Sequence, residues 1–359
     1  MLRLRVLVAV VGVVAPLVPG ARAAAAVPQG FVGMNGDGAL FSHRLSLSHQ
    51  LNTMAASGVQ SIRVVFSWAQ AQPTRNGPIG FAATDQIVGM AARRHLTVLP
   101  VVINAPAWDQ TSNPGGIASP ADPAPYANYL AQLVRRYGPG GSFWPASHIP
   151  AVPIRMWQLW NEPELASYWP TQPFARSYVA LLRASYNAIK GADSGAKVVL
   201  AGMPNFVWTY LDAIYNVPGA SKLFDVVAVH PYTKEPAGVI TILQRVRNEM
   251  NRHGDARKPM LATEISWPSS LGQIPVHTGF ETTETGQASN LAALLPMLAS
   301  DRQRLGLIGF YYYTWVTEQN HGSNVFQFAG LLSFHDSRLR AKPAFSAFRR
   351  AALALERIG

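Results

Sequence analysis

Leu96-Thr97-Val98-Leu99-Pro100-Val101-Val102-Ile103 is an almost wholly apolar run without polar alternation. A strand with one wet face alternates, whereas a strand covered on both faces does not, so this run reads as part of a parallel sheet. Downstream, Tyr126, Tyr129, Leu130, Leu133, Val134 and Tyr137 recur at helical spacing and define one apolar helix face. The strand-then-helix unit repeats. Residues 31–34, 62–66, 152–159, 198–203, 226–229, 260–262 and 307–313 are seven further apolar runs. Phe174, Tyr178, Leu181, Leu182 and Ile189 form another helical face after the fourth strand, and 341–355 suits a closing helix. Eight such units predict an α/β chain folded as a single (β/α)8 TIM barrel over residues 31–359. A doubly wound sheet is the alternative, but Gly33, Gly36 and Gly38 do not make the glycine-rich phosphate loop expected after its first strand.

Composition agrees with a large globular domain. Of 359 residues, 48% are hydrophobic and 14% charged, which excludes disorder, and the absence of cysteine excludes a disulfide scaffold or thiolate metal site. Residues 1–23 read as a secretory leader: Arg3 and Arg5 precede an apolar stretch, and Ala21-Arg22-Ala23 supplies small residues for cleavage. The apolar stretch is shorter than the ~20 residues a spanning helix needs, so no stable membrane insertion is expected. Residues 24–30 are then a short N-terminal segment. Formal charge is +11, and removing Arg3, Arg5 and Arg22 leaves 27 basic against 19 acidic side chains, +8. Such a charge suits an acidic polysaccharide or an anionic cell surface, or simply keeps the protein soluble. The basic residues are scattered as pairs such as Arg93-Arg94 and Arg135-Arg136, and no nucleic-acid motif is visible.

In a barrel the active site is built at the carboxyl ends of the strands. Those ends carry Asn35, Arg63 with Trp68, Asn104 with Trp108, Asn161-Glu162, Met203 with Asn205, His230-Pro231-Tyr232, Glu264 with Trp267, and Trp315. The set is rich in carboxylates, amides and aromatics; its spacings suggest no metal site, and no cofactor motif is present. Trp160-Asn161-Glu162-Pro163 closes the fourth strand and Thr263-Glu264 the seventh, so two carboxylates can face each other across the barrel mouth. Glycosidic bond cleavage asks for such a pair, one acid to protonate the departing oxygen and one carboxylate to attack the anomeric carbon. The acid must keep its proton near neutral pH, through burial or its negative partner. Trp157 and Trp160 are candidates for apolar walls, although side chains alternate along a strand and only one of them need face the pocket.

Across essentially all of the chain beyond the leader, the sequence resembles clan A retaining glycoside hydrolases. The resemblance rests on Ile62-Arg63 and Trp68, Pro106-Ala107-Trp108, Trp160-Asn161-Glu162-Pro163, Val229-His230-Pro231-Tyr232, Thr263-Glu264-Ile265-Ser266-Trp267 and Trp315. Tyr168-Trp169 and Ala188-Ile189-Lys190 are most similar to the β-xylosidase and α-L-iduronidase family, glycoside hydrolase family 39. The resemblance implies Glu162 as acid/base, Glu264 as nucleophile, Asn161 on the sugar 2-hydroxyl, and Arg63 and Tyr232 holding Glu264 ionised. Exo-acting members of that family commonly carry an additional β-sandwich. No such domain is expected after Lys342-Pro343 and the last helix, and on that expectation endo action on a longer glycan is as open as exo action.

Each side chain also has a plainer reading. Glu264 could be a buried partner of Arg63, and His230 a core histidine rather than a neighbour of the sugar. Trp108, Trp267 and Trp315 follow strand ends and could stack on sugar or fill core, while Asn104 is a further binding candidate. Tyr311-Tyr312-Tyr313 reads as structural, with alternate rings facing the barrel interior and the helix layer, and Asp37 reads as a turn residue. The functional expectation is a secreted retaining glycosidase acting on a carbohydrate. Its alternatives are a transglycosylase or a catalytically silent polysaccharide-binding barrel. The oligomeric state is left open.

Overall fold

The computed structural model describes residues 27–356 other than 43, 114, 115, 320–322 and 337; the leader expected over 1–23 lies outside the described residues. Nine parallel strands, β1 (Val32–Gly36), β2 (Ser61–Ser67), β3 (Thr97–Ile103), β4 (Met156–Leu159), β5 (Lys197–Val199), β6 (Met203–Pro204), β7 (Val227–His230), β8 (Met260–Ile265) and β9 (Leu307–Tyr312), pair in the order β5-β4-β3-β2-β1-β9-β8-β7-β6. The two ends of that order are consecutive in sequence. β5 and β6 are two pieces of one extended run interrupted at residues 200–202, and Val199 forms a parallel bridge to Val226. Leu200 N–H also donates to Val226 O at 3.0 Å. The sheet therefore closes as eight barrel strands with helices between them, the (β/α)8 architecture expected from the apolar runs.

Two packed layers explain why those runs lack alternation. Leu99, Val199, Val226, Ala228, Leu261 and Tyr311 form a small cluster, with Met156 and Ile308 packed against it. A much larger apolar cluster joins the alternate strand residues, such as Val98 and Val102, to the helices. Every second residue points to the barrel interior and its neighbours to the helix layer, so both sets are apolar. The helix Pro123–Tyr137 illustrates the outer packing. Asp122 caps it by accepting from Ala124 N–H at 2.9 Å, Pro123 opens it, and Arg135 and Arg136 lie in its last turn. Its predicted face, from Tyr126 to Tyr137, is buried throughout. Each side chain of that kind removed from water contributes about 1.5–3 kcal/mol before the entropy of ordering is subtracted.

Boundaries differ where the backbone lacks donors or changes partner. The run expected at 152–159 pairs only from Met156, since Pro153 has no N–H for a ladder. The closing helix is Pro343–Glu356, because residue 341 belongs to a three-stranded sheet of β10 (Val316–Thr317), β11 (Leu332–His335) and β12 (Arg338–Ala341). Among the described residues no helix is long and apolar enough to cross a membrane.

Candidate active site

Parallel register assembles the site. Asn35 and Arg63 are partners across β1 and β2, so their side chains lie side by side on the inner face. Arg63 is 5% exposed and commits all three guanidinium nitrogens. Nη1 donates to Asn35 Oδ1 and Glu264 Oε1, both at 2.8 Å, Nη2 to Asn161 Oδ1 at 2.8 Å, and Nε to Gln158 Oε1 at 2.7 Å. One guanidinium thus ties together β1, β2, β4, β8 and the loop after β4, a planar fork suited to such multiple contacts.

Glu264 is buried at the end of β8. Its Oε1 accepts from Arg63, and its Oε2 accepts from the Tyr232 hydroxyl at 2.5 Å. Burial by itself pushes this carboxyl up. It is outweighed by His230, by the Arg63 charge and by the Tyr232 and Arg63 hydrogen bonds, which together hold Glu264 below the usual carboxylate range. Replacing Arg63 with methionine strips the donor from a buried carboxylate and three amide oxygens. A loss of about 3–5 kcal/mol in urea unfolding at neutral pH is expected, the scale for breaking a buried pair. Because the folded-state value of Glu264 is depressed, the pair stabilises above the ordinary carboxylate value, and the contribution fades as pH falls through the lower folded value. The gap between wild type and Arg63→Met should accordingly narrow in acid.

Glu162 reaches the same space from the loop after β4. Trp160 and Glu162 have φ of 73° and 44°, in the left-handed region that non-glycine residues rarely occupy. Such strain is held by the surrounding structure and clusters at functional positions. Glu162 N–H donates to Gly202 O at 3.0 Å, and His230 Nδ1 lies 2.8 Å from Glu162 Oε1. His230 is fully buried between the two carboxylates, with Nε2 3.5 Å from Glu264 Oε1. A ligand atom of each of Glu162, His230 and Glu264 lies within 4.8 Å of the others. That donor set could hold a cation, as could Asp212, Glu249 and His253 on the helix layer. In the mouth, however, both Glu264 oxygens already accept from Arg63 and Tyr232. Glu164, next in the same loop, has both carboxyl oxygens buried without hydrogen-bond partners, and burial pushes it up to about 8. It therefore adds little negative charge beside Glu162 at neutral pH.

Gly202 makes this arrangement possible. A Cβ there would stand 2.0 Å from His230 Nε2. The break between β5 and β6 supplies both a carbonyl for Glu162 and room for the imidazole. Gly202→Ala should displace His230 and lower kcat by about 10-fold or more, given the sensitivity of catalytic geometry to shifts near 1 Å. Single-turnover kinetics with an unchanged melting profile checks this against simple unfolding.

A 200 Å3 cavity opens over Arg63, Asn161 and Glu264, and Asn104 also lines it. Its apolar wall is Val64, Val65, Val101, Ile103 and Ile117. From sequence, Trp157 or Trp160 is the candidate for such an apolar wall. Both are fully buried, with Trp160 packed edge-on against Tyr126 and Trp169. Trp267 and Trp315 are also fully buried, with indole N–H groups donating to Thr233 O at 2.7 Å and Gln50 Oε1 at 2.9 Å. The structure does not bring these two rings to the cavity. Trp108 is half-buried, edge-on to Trp68, with its N–H on Gln72 O at 2.8 Å.

Several site residues escaped the sequence reading. Gln158 positions Arg63, and its only signal was a lone amide in an apolar strand. Tyr168 and Tyr313 line the cavity, and so does Asp37. Of the tyrosine run, Tyr311 hydrogen-bonds Ser61 at 2.8 Å, Tyr312 donates to Ala329 O at 3.1 Å, and Tyr313 gives its hydroxyl to Asp37. The expected alternation holds for the first two rings, but the third belongs to the site. Asp37 keeps its turn role, accepting from Gly38 N–H at 2.8 Å, while its other oxygen serves Tyr313.

No protein-family model and no curated protein sequence matches the chain. Solved structures do share its fold. A family 39 glycoside hydrolase from the gut symbiont Bacteroides cellulosilyticus is 20% identical with a TM-score of 0.66, over 92% of this chain and 64% of that one. A family 39 enzyme from Xanthomonas axonopodis pv. citri is 17% identical with a TM-score of 0.67, over 90% and 66%. The family 53 catalytic domain from Ignisphaera aggregans is 20% identical with a TM-score of 0.58, over 95% and 99%. The chain spans about two thirds of the length of the two family 39 proteins. The fold is the (β/α)8 barrel found in glycoside hydrolases of clan A.

Proposed function

We propose that the protein is a retaining glycoside hydrolase that cleaves O-glycosidic bonds of an oligo- or polysaccharide by double displacement. The observation that carries this is the pair of carboxylates at the barrel mouth, with oxygen atoms within 4.8 Å of each other. Retaining enzymes place their carboxyl groups about 5–5.5 Å apart, whereas inverting ones need about 6.5–9.5 Å to admit a water.

The environments divide the roles. Glu264, held ionised by Arg63 and Tyr232, attacks the anomeric carbon, while Glu162 gives its proton to the glycosidic oxygen and the alcohol departs. A covalent glycosyl ester on Glu264 remains. Water then attacks the anomeric carbon, Glu162 takes up the water proton, and Glu264 leaves as carboxylate. In this reading His230, 2.8 Å from Glu162, orients its carboxyl, and Asn161, held by Arg63, binds the sugar hydroxyl next to the anomeric carbon. The leader read in residues 1–23 would deliver this activity outside the cell. Proton NMR of the first-formed sugar checks the stereochemistry: retention is the expected product, and an inverted anomer would rule out the mechanism.

A further inference from the structure

A second cavity, of 350 Å3, adjoins the catalytic one, and the two meet at Asp37 and Tyr313, which line both. Its position around the barrel gives it a direction. In the closed sheet β4 and β9 stand opposite each other, four strands apart either way round. Glu162 follows β4, whereas Tyr313 and Thr314 follow β9 and Asp37 follows β1. The departing part of a substrate must sit beside the acid that protonates it, on the β4 side. The sugar retained on Glu264 therefore continues away from Glu162, toward the β1 and β9 loops, where this cavity lies.

We infer that the second cavity is a glycone subsite for an uncharged sugar unit, so that the enzyme grips at least two residues of a neutral glycan upstream of the bond it cuts. The inference rests on the glycosidase reading and extends it to substrate class. Size permits it, since this cavity is larger than the 200 Å3 catalytic one. Its chemistry fits a sugar. Thr317, Asn324 and Gln327 offer hydroxyl and amide groups, and Phe326 an aromatic surface for C–H groups. Phe326 is itself fixed edge-on to Tyr313, with centroids 5.6 Å apart, and to Tyr232 at 5.4 Å.

The charge of the lining selects against acidic sugars. Asp37 and Glu318 both line the cavity, and no basic side chain does among the described residues. The nearby Arg44 is already paired with Glu318. Asp37 is held by Gly38 N–H and the Tyr313 hydroxyl, and a carboxylate has lone pairs left to accept from sugar hydroxyls. A uronate would meet the Asp37 carboxylate, a like charge with no cation paired to it among the described residues, and at Glu318 would find the nearby cation already engaged. Among the described lining residues, the formal +11 of the chain is therefore not represented in this cavity.

The test compares 4-nitrophenyl β-glycosides of monosaccharides with those of the matching β-linked disaccharides in the gluco, xylo and manno series, together with a disaccharide glycoside ending in glucuronic acid. In the series that is turned over, the neutral disaccharide glycoside should have a kcat/KM at least 10-fold above that of the monosaccharide. The uronate-ended one should fall at least 10-fold below its neutral counterpart. Gln327→Ala and, separately, Asp37→Asn should reduce the disaccharide-to-monosaccharide ratio several-fold, through KM more than kcat. Monosaccharide glycosides cleaved with no gain from a second sugar would overturn the subsite while leaving the glycosidase reading intact. Equal turnover of the uronate-ended substrate would overturn the neutral-substrate assignment. Absence of turnover on every glycoside would overturn both readings.

Discussion

Glu264→Ala should reduce turnover of any glycoside by about 10⁴-fold or more, the scale on which loss of a covalent nucleophile acts. The alanine leaves the space of a carboxylate between Arg63, which bonded Glu264 Oε1, and Tyr232, which bonded Oε2. A small anion can enter that space. Added azide should restore part of the activity on a substrate with a good leaving group and yield a glycosyl azide of inverted configuration, because a single displacement has replaced two. Mass spectrometry and NMR of that product are the checks. Full activity in the unrescued variant would remove Glu264 from the chemistry and leave it as the buried partner of Arg63.

Glu162→Ala should behave differently, and the contrast separates the two carboxylates. On unactivated glycosides the loss of proton donation should cost about 10²–10⁴-fold. On dinitrophenyl glycosides, whose leaving groups need no proton, formation of the glycosyl-enzyme should survive. Azide should then attack that intermediate and give a product of retained configuration. Wild-type rates on unactivated substrates would exclude Glu162 as the acid, and an inverted azide product would exclude the covalent intermediate on Glu264. His230, 2.8 Å from Glu162, should become less firmly held once its carboxylate partner is gone.

Much of this protein is determined by local sequence. Both sheet faces are covered, so each strand declares itself as an unbroken apolar run, and a helix face such as Tyr126 to Tyr137 declares itself by its period. Eight repetitions leave few alternatives to a closed barrel, and because barrel chemistry gathers at strand ends, the sequence by itself nominates Arg63, Glu162, Tyr232 and Glu264 as candidates, four side chains that the fold brings together. Tertiary structure alone decided which side chains share a space. Periodicity says that a tryptophan is apolar and follows a strand; it does not say whether Trp267 and Trp315 turn into the mouth or into packing, and they turn into packing. Nor does it show that an absent side chain at Gly202 makes room for His230, or that Gln158 reaches Arg63. Asp37 looked like a turn residue because its hydrogen bond to Gly38 is local, whereas its bond to Tyr313 spans the closure of the barrel. Contacts between residues far apart in sequence depend on how the sheet closes, and that information lies in no single stretch of chain.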